Sequence, residues 1–199
     1  MKLIILFLLL LSISYNLNSD EQIEISFDSK NNFRQSFNDC ALYSIKAIVT
    51  IIKNKNITIS EISEKIKEFR FKNNYTLPFG IESVLKNFNI KFKILNCYSN
   101  TNEEKIKILK TNLNNLTPII ILVEYSKFQH YMTILGYNKK EFYIYDSVLT
   151  KDSKIPNLTL DLNGSLPGNR NIDYETLINM WNNGGMFGLY KNYGIVCFK

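Results

Sequence analysis

The amino-acid sequence predicts an α+β domain in which helices come first and strands follow. Segments with apolar residues at helical spacing dominate the chain before residue 90. After them, the continuous apolar run Ile119–Val123 is typical of a central strand. Two further strand-like segments, Gln129–Tyr137 and Glu141–Val148, are joined by a polar turn. With 199 residues, 45% of them apolar, the chain can bury a sizeable core, and residues 20–199 are expected to form one domain.

The first residues predict a secretory signal peptide over 1–19. Lys2 precedes an almost wholly apolar segment, Leu3–Ile13. That segment is too short to span a membrane as a helix, and a charge followed by a short apolar stretch is typical of a signal peptide. We therefore expect an exported protein, periplasmic or secreted, with no membrane contact after signal removal; an uncleaved anchor is the alternative.

The first half of the chain carries three helix signals. Apolar residues at helical spacing predict a helix over Asp39–Lys53, with Asp39 as N-cap and Cys40 at the first helical position. A capping box that begins at Thr58 predicts a second helix over Ser60–Phe69. A third amphipathic segment covers Gly80–Phe88. These helices should bury one stripe each against the later strands.

The second half is richer in strand signals. Alternating residues over 90–94 predict a half-buried strand, and Pro118 ends a helix predicted over Glu103–Leu116. Residues 150–171 are rich in Pro and Gly and are expected to form a loop. Asp173 should cap a short helix that reaches Trp181, and Tyr193–Phe198 should form the closing strand.

The hairpin Gln129–Val148 holds His130, the only histidine of the chain. Histidine is the side chain whose ordinary pKa suits proton transfer near neutral pH. With a three-residue loop, Asn138–Lys140, Tyr137 would pair with Glu141, and His130 and Asp146 would become diagonal cross-strand neighbours with Cα atoms roughly 7–8 Å apart. A two-residue loop would place them on opposite faces. We favour the first register because it gathers the most apolar residues on one face.

A thiol at a helix N-terminus beside an imidazole is a typical nucleophile, because both favour the thiolate. Cys40 is expected at such a position. In the mechanism that this suggests, His130 takes the Cys40 proton and returns a proton to the leaving amine, while Asp146 orients the ring. Gln35 could stabilise the oxyanion together with the Cys40 backbone N–H, and Asn38 is a second possible donor. Each residue alone is ordinary; their combination points to chemistry.

The other cysteines allow two interpretations. Cys97 and Cys197 each lie at the end of a strand-like segment, so they could form a disulfide that leaves Cys40 free. They could equally be small apolar packing residues. No cluster of His and Cys has metal-ligand spacing, and no Gly-rich phosphate loop is present.

Several short motifs resemble the bacteriocin-processing (double-glycine) peptidase family and its stand-alone relatives in the papain-like clan. The resemblance spans roughly residues 33–150 and is carried by Gln35, by Asn38-Asp39-Cys40-Ala41, and by His130-Tyr131…Leu135-Gly136-Tyr137…Tyr145-Asp146-Ser147. The resemblance implies a papain-like fold, with an active-site cleft between a helical half and an antiparallel sheet. In that cleft it implies Cys40 as the nucleophile, His130 as the base, Asp146 as the orienting residue and Gln35 as part of the oxyanion hole. It implies no cofactor.

Two features depart from that family's pattern. Ala41 stands where the family usually has glycine, and Gln35 precedes Cys40 by five residues rather than six. Well-known members are domains of export transporters that cut leader peptides after two glycines. This chain combines the motif with an export signal, so their substrate is not carried over.

The leading functional hypothesis is an exported cysteine peptidase that cleaves a peptide or isopeptide bond of a peptide or protein substrate. The same site could serve an acyltransferase, transglutaminase-like enzyme or deamidase, since all share an acyl-enzyme. A catalytically silent binding domain is a third reading. The formal charge of +6 is modest and its lysines are scattered, which argues against a nucleic-acid partner.

Overall fold

The structure, a computed structural model, describes residues 22–148, 157–161 and 163–199. The expected signal peptide, residues 1–19, lies outside the described residues. The helices of the described part are α1 (Cys40–Lys53), α2 (Ile59–Ile66), α3 (Pro78–Asn87), α4 (Asn102–Asn114) and α5 (Tyr174–Asn183), with short 3-10 turns at Ser29–Asn31, Lys67–Phe69 and Met186–Gly188.

Local sequence signals account for where these helices begin. The capping box predicted for α2 is present, with Thr58 and Glu61 bonded reciprocally, and Thr101 and Glu104 form a second one at α4. Asp173 caps α5 by accepting a hydrogen bond from the backbone of Thr176, as its position before the apolar stripe predicts. The helices predicted from periodicity are therefore confirmed, with shifts of a few residues at their ends.

One antiparallel sheet holds all the strands of the described residues. They are β1 (Ile23–Glu24), β2 (Lys91–Asn96), β3 (Ile119–Tyr125), β4 (Phe128–Tyr137), β5 (Glu141–Tyr145), β6 (Leu158–Leu160), β7 (Arg170–Asp173) and β8 (Tyr193–Phe198). Their order across the sheet is β2-β8-β3-β4-β5-β7-β6, and β1 pairs with β4. The α+β class predicted from the sequence is confirmed.

The central strand β3 explains why both faces of the sheet are covered. Its alternate residues Ile119, Ile121 and Val123 join a core with α4 and α5. Ile120 and Leu122 point to a second core, which α1, α2 and α3 close. Because β3 is apolar on both sides, it can be stable only between two helical layers. The helical layer of α4 and α5 therefore completes the fold on the face away from α1.

The predicted three-residue loop of the β4–β5 hairpin is wrong. Tyr137 pairs with Phe142, and the backbone N–H of Asn138 donates to Glu141 (2.9 Å), which leaves only two residues in the turn. A β-bulge between Ile134 and Gly136 then shifts the register by one residue. Beyond the bulge Ile134 pairs with Ile144, as predicted. The bulge therefore restores the facing of His130 and Asp146 that a two-residue turn alone would have removed.

Two strands were missed in the segment 150–171, which was predicted to be loop throughout. β6 and the start of β7 fall inside it, and they extend the sheet beyond β5. Both strands are short, and nearby Pro and Gly masked their weak alternation. The consequence is functional, because β7 begins with Arg170.

The disulfide considered for Cys97 and Cys197 is not formed. Cys197 pairs across the sheet with Phe92, whereas Cys97 lies five residues further along the chain, roughly 16 Å away at the usual rise of a strand. A disulfide needs Cα atoms within about 7 Å. Cys40, Cys97 and Cys197 are all free and buried. Cys97 and Cys197, the two thiols distal to the helix start, are therefore packing residues.

Candidate active site

Cys40 occupies the first position of α1, as predicted, and the residue is 9% exposed. Asp39 is the N-cap residue, but its carboxylate does not cap the helix. Instead it accepts a hydrogen bond from the Arg70 guanidinium at 2.5 Å. The N–H groups of the first turn thus keep their positive partial charge beside the thiol, with no side-chain acceptor on them.

His130 and Asp146 meet in the interior, with Nε2 of the ring 2.8 Å from Oδ1 of the carboxylate. Both side chains are almost fully buried, 1% and 0% exposed. The ring of His130 also packs edge-on against Tyr125 and Phe128. The sequence prediction that the only histidine faces this carboxylate therefore agrees with the geometry.

The second ring nitrogen of His130, Nδ1, is buried and makes no hydrogen bond of normal geometry within the described residues. Burial alone lowers the pKa of this histidine, but hydrogen bonding and charge from Asp146 and Cys40 outweigh it and raise the pKa to about 10. Cys40 and His130 line the same narrow slot. Thiol and imidazole are therefore neighbours, and the environment favours a protonated ring.

Arg170, which the sequence analysis did not single out, binds the far side of Asp146. Its Nε donates to Oδ2 at 2.7 Å, and its Nη2 donates to the Val148 carbonyl at 2.6 Å. The Val148 N–H in turn donates to Oδ1 of Asp146 at 2.8 Å. With its guanidinium side chain only 1% exposed, Arg170 forms a buried chain with Asp146 and His130.

Asn169 fixes the backbone of Asp146. Its Oδ1 accepts from the Asp146 N–H at 2.8 Å, and its Nδ2 donates to the Asp146 carbonyl at 2.7 Å. Gly168 permits this approach, because its φ is +88° and a Cβ there would lie 2.4 Å from the carbonyl oxygen of Ile144. The segment that was predicted to be loop thus positions the carboxylate through two side chains.

Gln35 is held by Ser147, the residue after Asp146. The Gln35 N–H donates to the Ser147 carbonyl (2.9 Å), and the Ser147 hydroxyl donates to Gln35 Oε1 (2.6 Å). Because the side-chain oxygen is occupied, Nε2 is the free end of the amide, and it has no partner among the described residues. Gln35 lines the slot with Cys40. Asn38, the alternative donor, instead gives its Nδ2 to the carbonyl of Asn73 (2.8 Å).

Two larger cavities adjoin the slot. One, of about 820 Å³, lies against Lys72, Lys127 and Met186, and the other, of about 570 Å³, lies against Arg34 and Val148. Tyr75 and Phe128 line both cavities and the slot. The slot and the two cavities together form a groove beside the thiol.

Within residues 22–148, 157–161 and 163–199, no three His, Cys, Asp or Glu side chains are grouped as metal ligands. In the same part of the chain, no helix has both the length and the apolar character needed to cross a membrane. The polar groups that line the slot include the Cys40 thiol, the His130 imidazole and the Gln35 amide. The Asp146 carboxylate and the Arg170 guanidinium lie behind the His130 ring.

Comparison with known proteins agrees with the resemblance seen in the sequence. The profile of the Peptidase_C39 like family matches residues 22–161. The fold is similar to the peptidase domain of Streptococcus ComA, described as a bi-functional ABC transporter involved in a quorum sensing pathway, with a TM-score of 0.56 at 14% identity over 83% of this chain and 95% of that one. A C39-like peptidase from Bacillus anthracis gives a TM-score of 0.56 at 12% identity, over 90% and 98% of the two chains.

A more distant similarity is to UfSP from C. elegans, with a TM-score of 0.51 at 16% identity over 94% of this chain and 35% of that one. No curated protein sequence matches. At these identities the structural matches are evidence for the fold only. They confirm the papain-like architecture that the resemblance implied.

Proposed function

Because the chain belongs to the Peptidase_C39 like family, whose fold is that of cysteine peptidases, we propose that it is a cysteine peptidase acting through Cys40, His130 and Asp146. The bond cleaved is a peptide or isopeptide bond. One observation carries the proposal: the only histidine is bonded to a buried carboxylate and shares a slot with a thiol at a helix N-terminus. Such a thiol and ring are suited to nucleophilic catalysis.

In the first step, His130 holds the proton of Cys40, and the thiolate attacks the carbonyl carbon of the scissile bond. The new oxyanion lies near the Cys40 backbone N–H, at the uncapped start of α1, and near Nε2 of Gln35. His130 then gives its proton to the leaving amine, and the C–N bond breaks. The acyl group remains on the sulfur of Cys40.

In the second step, water loses a proton to His130 and attacks the acyl carbon, which releases the carboxylic acid and restores the thiol. Asp146 stabilises the imidazolium in both steps and fixes the ring so that Nδ1 faces the sulfur. Arg170 acts as a positioning residue, because its hydrogen bond to Oδ2 sets the orientation of Asp146 and directs Oδ1 toward the ring.

Export belongs to the same proposal and is supported by the sequence alone. The charged start and short apolar segment of residues 1–19 match a secretory signal. Expression of the full chain in a bacterial host, followed by mass determination of the protein in each cell fraction, tests it. A mature mass that lacks the first residues, found outside the cytoplasm, is the expected result. An intact chain in the cytoplasm contradicts it.

Thiol alkylation tests the site before any substrate is known. With limiting iodoacetamide at pH 6, Cys40 should react on the order of 100-fold faster than Cys97 and Cys197, because an imidazolium partner favours its thiolate. Burial raises the pKa of both distal thiols, so they serve as internal references. The labelling of each cysteine is read by mass spectrometry of the digested protein.

The pH profile separates activation by His130 from simple accessibility. Since the pKa of His130 is about 10, the ring stays protonated from pH 6 to 9, so titration of the ring should cause no step in the Cys40 rate over that range. In His130→Gln, the rate should be low at pH 6 and rise steadily with pH. Slow and equal labelling of all three thiols in the unmodified protein would instead indicate a silent binding domain. Products retaining an added amine would indicate acyl transfer rather than hydrolysis.

A further inference from the structure

The larger cavity beside the slot has a distinct chemical character. Phe71, Tyr75, Phe128 and Met186 give it an apolar wall, and Lys72 and Lys127 lie along its rim. Phe71 and Phe128 remain 48% and 38% exposed, although large apolar side chains are usually buried. Exposed apolar surface that surrounds a cavity of about 820 Å³ is typical of a ligand site.

This cavity begins where the thiol slot ends. Tyr75, Phe128, Gln129 and Met186 line both, so the cavity is adjacent to the slot that holds Cys40 and His130. An extended chain advances about 3.3 Å per residue. A side chain one or two residues from the bond held at Cys40 can therefore enter it.

The wall of the cavity on the side of the helices, called the helical wall, is formed by the loop 71–75 and is held by hydrogen bonds. The loop 71–75 is closed by a bridge between Arg70 and Thr76 and by a hydrogen bond from the Phe71 N–H to the Tyr75 carbonyl (2.9 Å). The side chain of Asn74 donates to the Phe37 carbonyl (3.2 Å), which ties the loop to the segment before Cys40. The cavity is thus formed before any ligand enters, which lowers the entropic cost of binding.

The sheet wall is held at some conformational cost. Ser126 and Lys127 form the two-residue turn between β3 and β4, and both have positive φ, +47° and +72°. Such turns favour Asn-Gly, since left-handed backbone suits glycine. A lysine placed there despite the strain puts its charge at the cavity rim, next to Phe128.

The charges at the rim are unbalanced. Lys72 and Lys127 are exposed and have no ion-pair partner among the described residues. No Asp or Glu of the described residues lines the slot or either cavity beside it, whereas Arg34 adds a third cation in the smaller cavity. The groove therefore attracts a carboxylate-bearing chain.

We propose that this cavity selects substrates with a bulky apolar side chain within two residues of the scissile bond and an Asp or Glu beside it. The inference rests on the proposed function and names its substrate class. A glycine at that position would leave the apolar walls in contact with water, so a two-glycine site would forgo the contacts that the cavity offers.

Cleavage of a mixture of unstructured synthetic peptides, in which every pair of neighbouring residues is represented, tests the proposal. Peptides with Leu, Met or Phe next to Asp or Glu should be cut first. Replacing the apolar residue by Gly should lower kcat/KM roughly 10- to 100-fold, and replacing the acid by Lys should lower it roughly tenfold at low salt.

Matched variants isolate the two lysines. In Lys72→Glu/Lys127→Glu, the preference for acidic over basic peptides should disappear or reverse. In Lys91→Glu/Lys107→Glu, which changes the net charge equally at exposed lysines on β2 and α4, the preference should persist. An unchanged preference in the first variant, or the same loss in the second, would overturn the proposal.

Binding to Cys40→Ala separates this proposal from the peptidase proposal. By calorimetry, the variant should bind a Leu-Asp peptide at least roughly tenfold more tightly than the matched Gly-Lys peptide. Selective binding without any cleavage by the unmodified protein would refute the peptidase proposal and leave the cavity's preference standing. Cleavage of both peptides at equal rates, with equal affinities for the variant, would refute the cavity's preference and leave the peptidase proposal standing.

Discussion

Each wall of the cleft carries an Asp–Arg ion pair next to a residue of the proposed site. On the helical wall, Asp39 pairs with Arg70 beside Cys40, at 2.5 Å. On the sheet wall, Asp146 pairs with Arg170 beside His130, at 2.7 Å. The two pairs have the same chemistry and nearly the same length, so their surroundings must account for any difference in what they do.

The surroundings differ in burial and in the third partner. The side chains of Asp39 and Arg70 are 12% and 10% exposed, and the Arg70 guanidinium also donates hydrogen bonds to the Asn74 carbonyl. The side chains of Asp146 and Arg170 are 0% and 1% exposed, and Asp146 also binds the His130 ring. The helical pair ties a loop to a helix start, whereas the sheet pair continues into the proposed proton-transfer chain.

The largest expected effect is that of Asp146→Asn. The change leaves the Arg170 guanidinium buried without a counter-charge and removes the carboxylate that supports the imidazolium. Breaking a buried pair in this way costs about 3–5 kcal/mol, so the free energy of unfolding should fall by that amount in urea denaturation. Cys40 alkylation at pH 6 should slow on the order of 100-fold, because the thiolate loses its protonated partner.

A double variant separates stability from activation at this site. Asp146→Asn/Arg170→Met replaces the buried cation by an apolar side chain and should recover much of the lost stability, since apolar substitutes for buried pairs are often neutral. Alkylation of Cys40 should remain slow. If the double variant were labelled as fast as the unmodified protein, the sheet pair would have no part in activating the thiol.

The helical wall was largely predictable because its signals are local. A candidate N-cap followed by a stripe of apolar residues marks the start of α1 and therefore Cys40. The capping box at Thr58 does the same for α2. What the sequence did not show is that Asp39 turns away from the helix to Arg70, a residue 31 positions later. Such a pairing depends on tertiary packing.

On the sheet wall, the facing of His130 and Asp146 was predicted correctly, but from a wrong loop length. His130 and Asp146 were placed together through a three-residue loop, whereas the real turn is shorter and a bulge near Leu135 restores the register. The apolar alternation of β4 and β5 determines which face is buried, so it determined the outcome even though the turn was wrong.

The sequence did not identify Arg170 as a site residue, because it lies in a Gly- and Pro-rich segment that was predicted to be a loop. One signal could have found it: only three of the 24 basic residues are arginines, Arg34, Arg70 and Arg170. In a chain that otherwise uses lysine, arginine marks places where a planar, multidentate cation is needed. Two of the three pair with an aspartate beside the site, and the third lines the smaller of the two cavities next to the slot.

A smaller effect, confined to the chemical step, is expected of Ser147→Ala. The variant removes the hydroxyl that holds Gln35 Oε1, so the amide can rotate away from the oxyanion. Peptide hydrolysis should fall roughly tenfold, less than the 100- to 1,000-fold typical of deleting an oxyanion donor. Alkylation of Cys40 should not change, because that reaction forms no oxyanion. Kinetics with a cleavable peptide and with iodoacetamide give the two rates.

Gln35→Ala provides the reference for that experiment. If Ser147 acts only through Gln35, then adding Ser147→Ala to Gln35→Ala should cause no further loss of hydrolysis. Additive losses would mean that Ser147 has a separate role, and the sheet wall would then support the oxyanion directly.

The smallest effect, and one of opposite sign, is expected of Asp39→Asn. The amide oxygen can still accept from Arg70, which keeps its bonds to Asn74, and the pair is partly exposed, so the free energy of unfolding should fall by no more than about 1 kcal/mol. The variant also removes a negative charge beside the start of α1 and leaves the Arg70 cation there. Both changes favour a thiolate at Cys40, so alkylation at pH 6 should become roughly two- to threefold faster at low ionic strength. Salt should abolish that gain, whereas the deficit of Asp146→Asn should persist because its site is buried. If Asp39→Asn instead slowed alkylation as much as Asp146→Asn, the two pairs would be functionally equivalent, and the distinction between a loop tie and a proton-transfer partner would not hold.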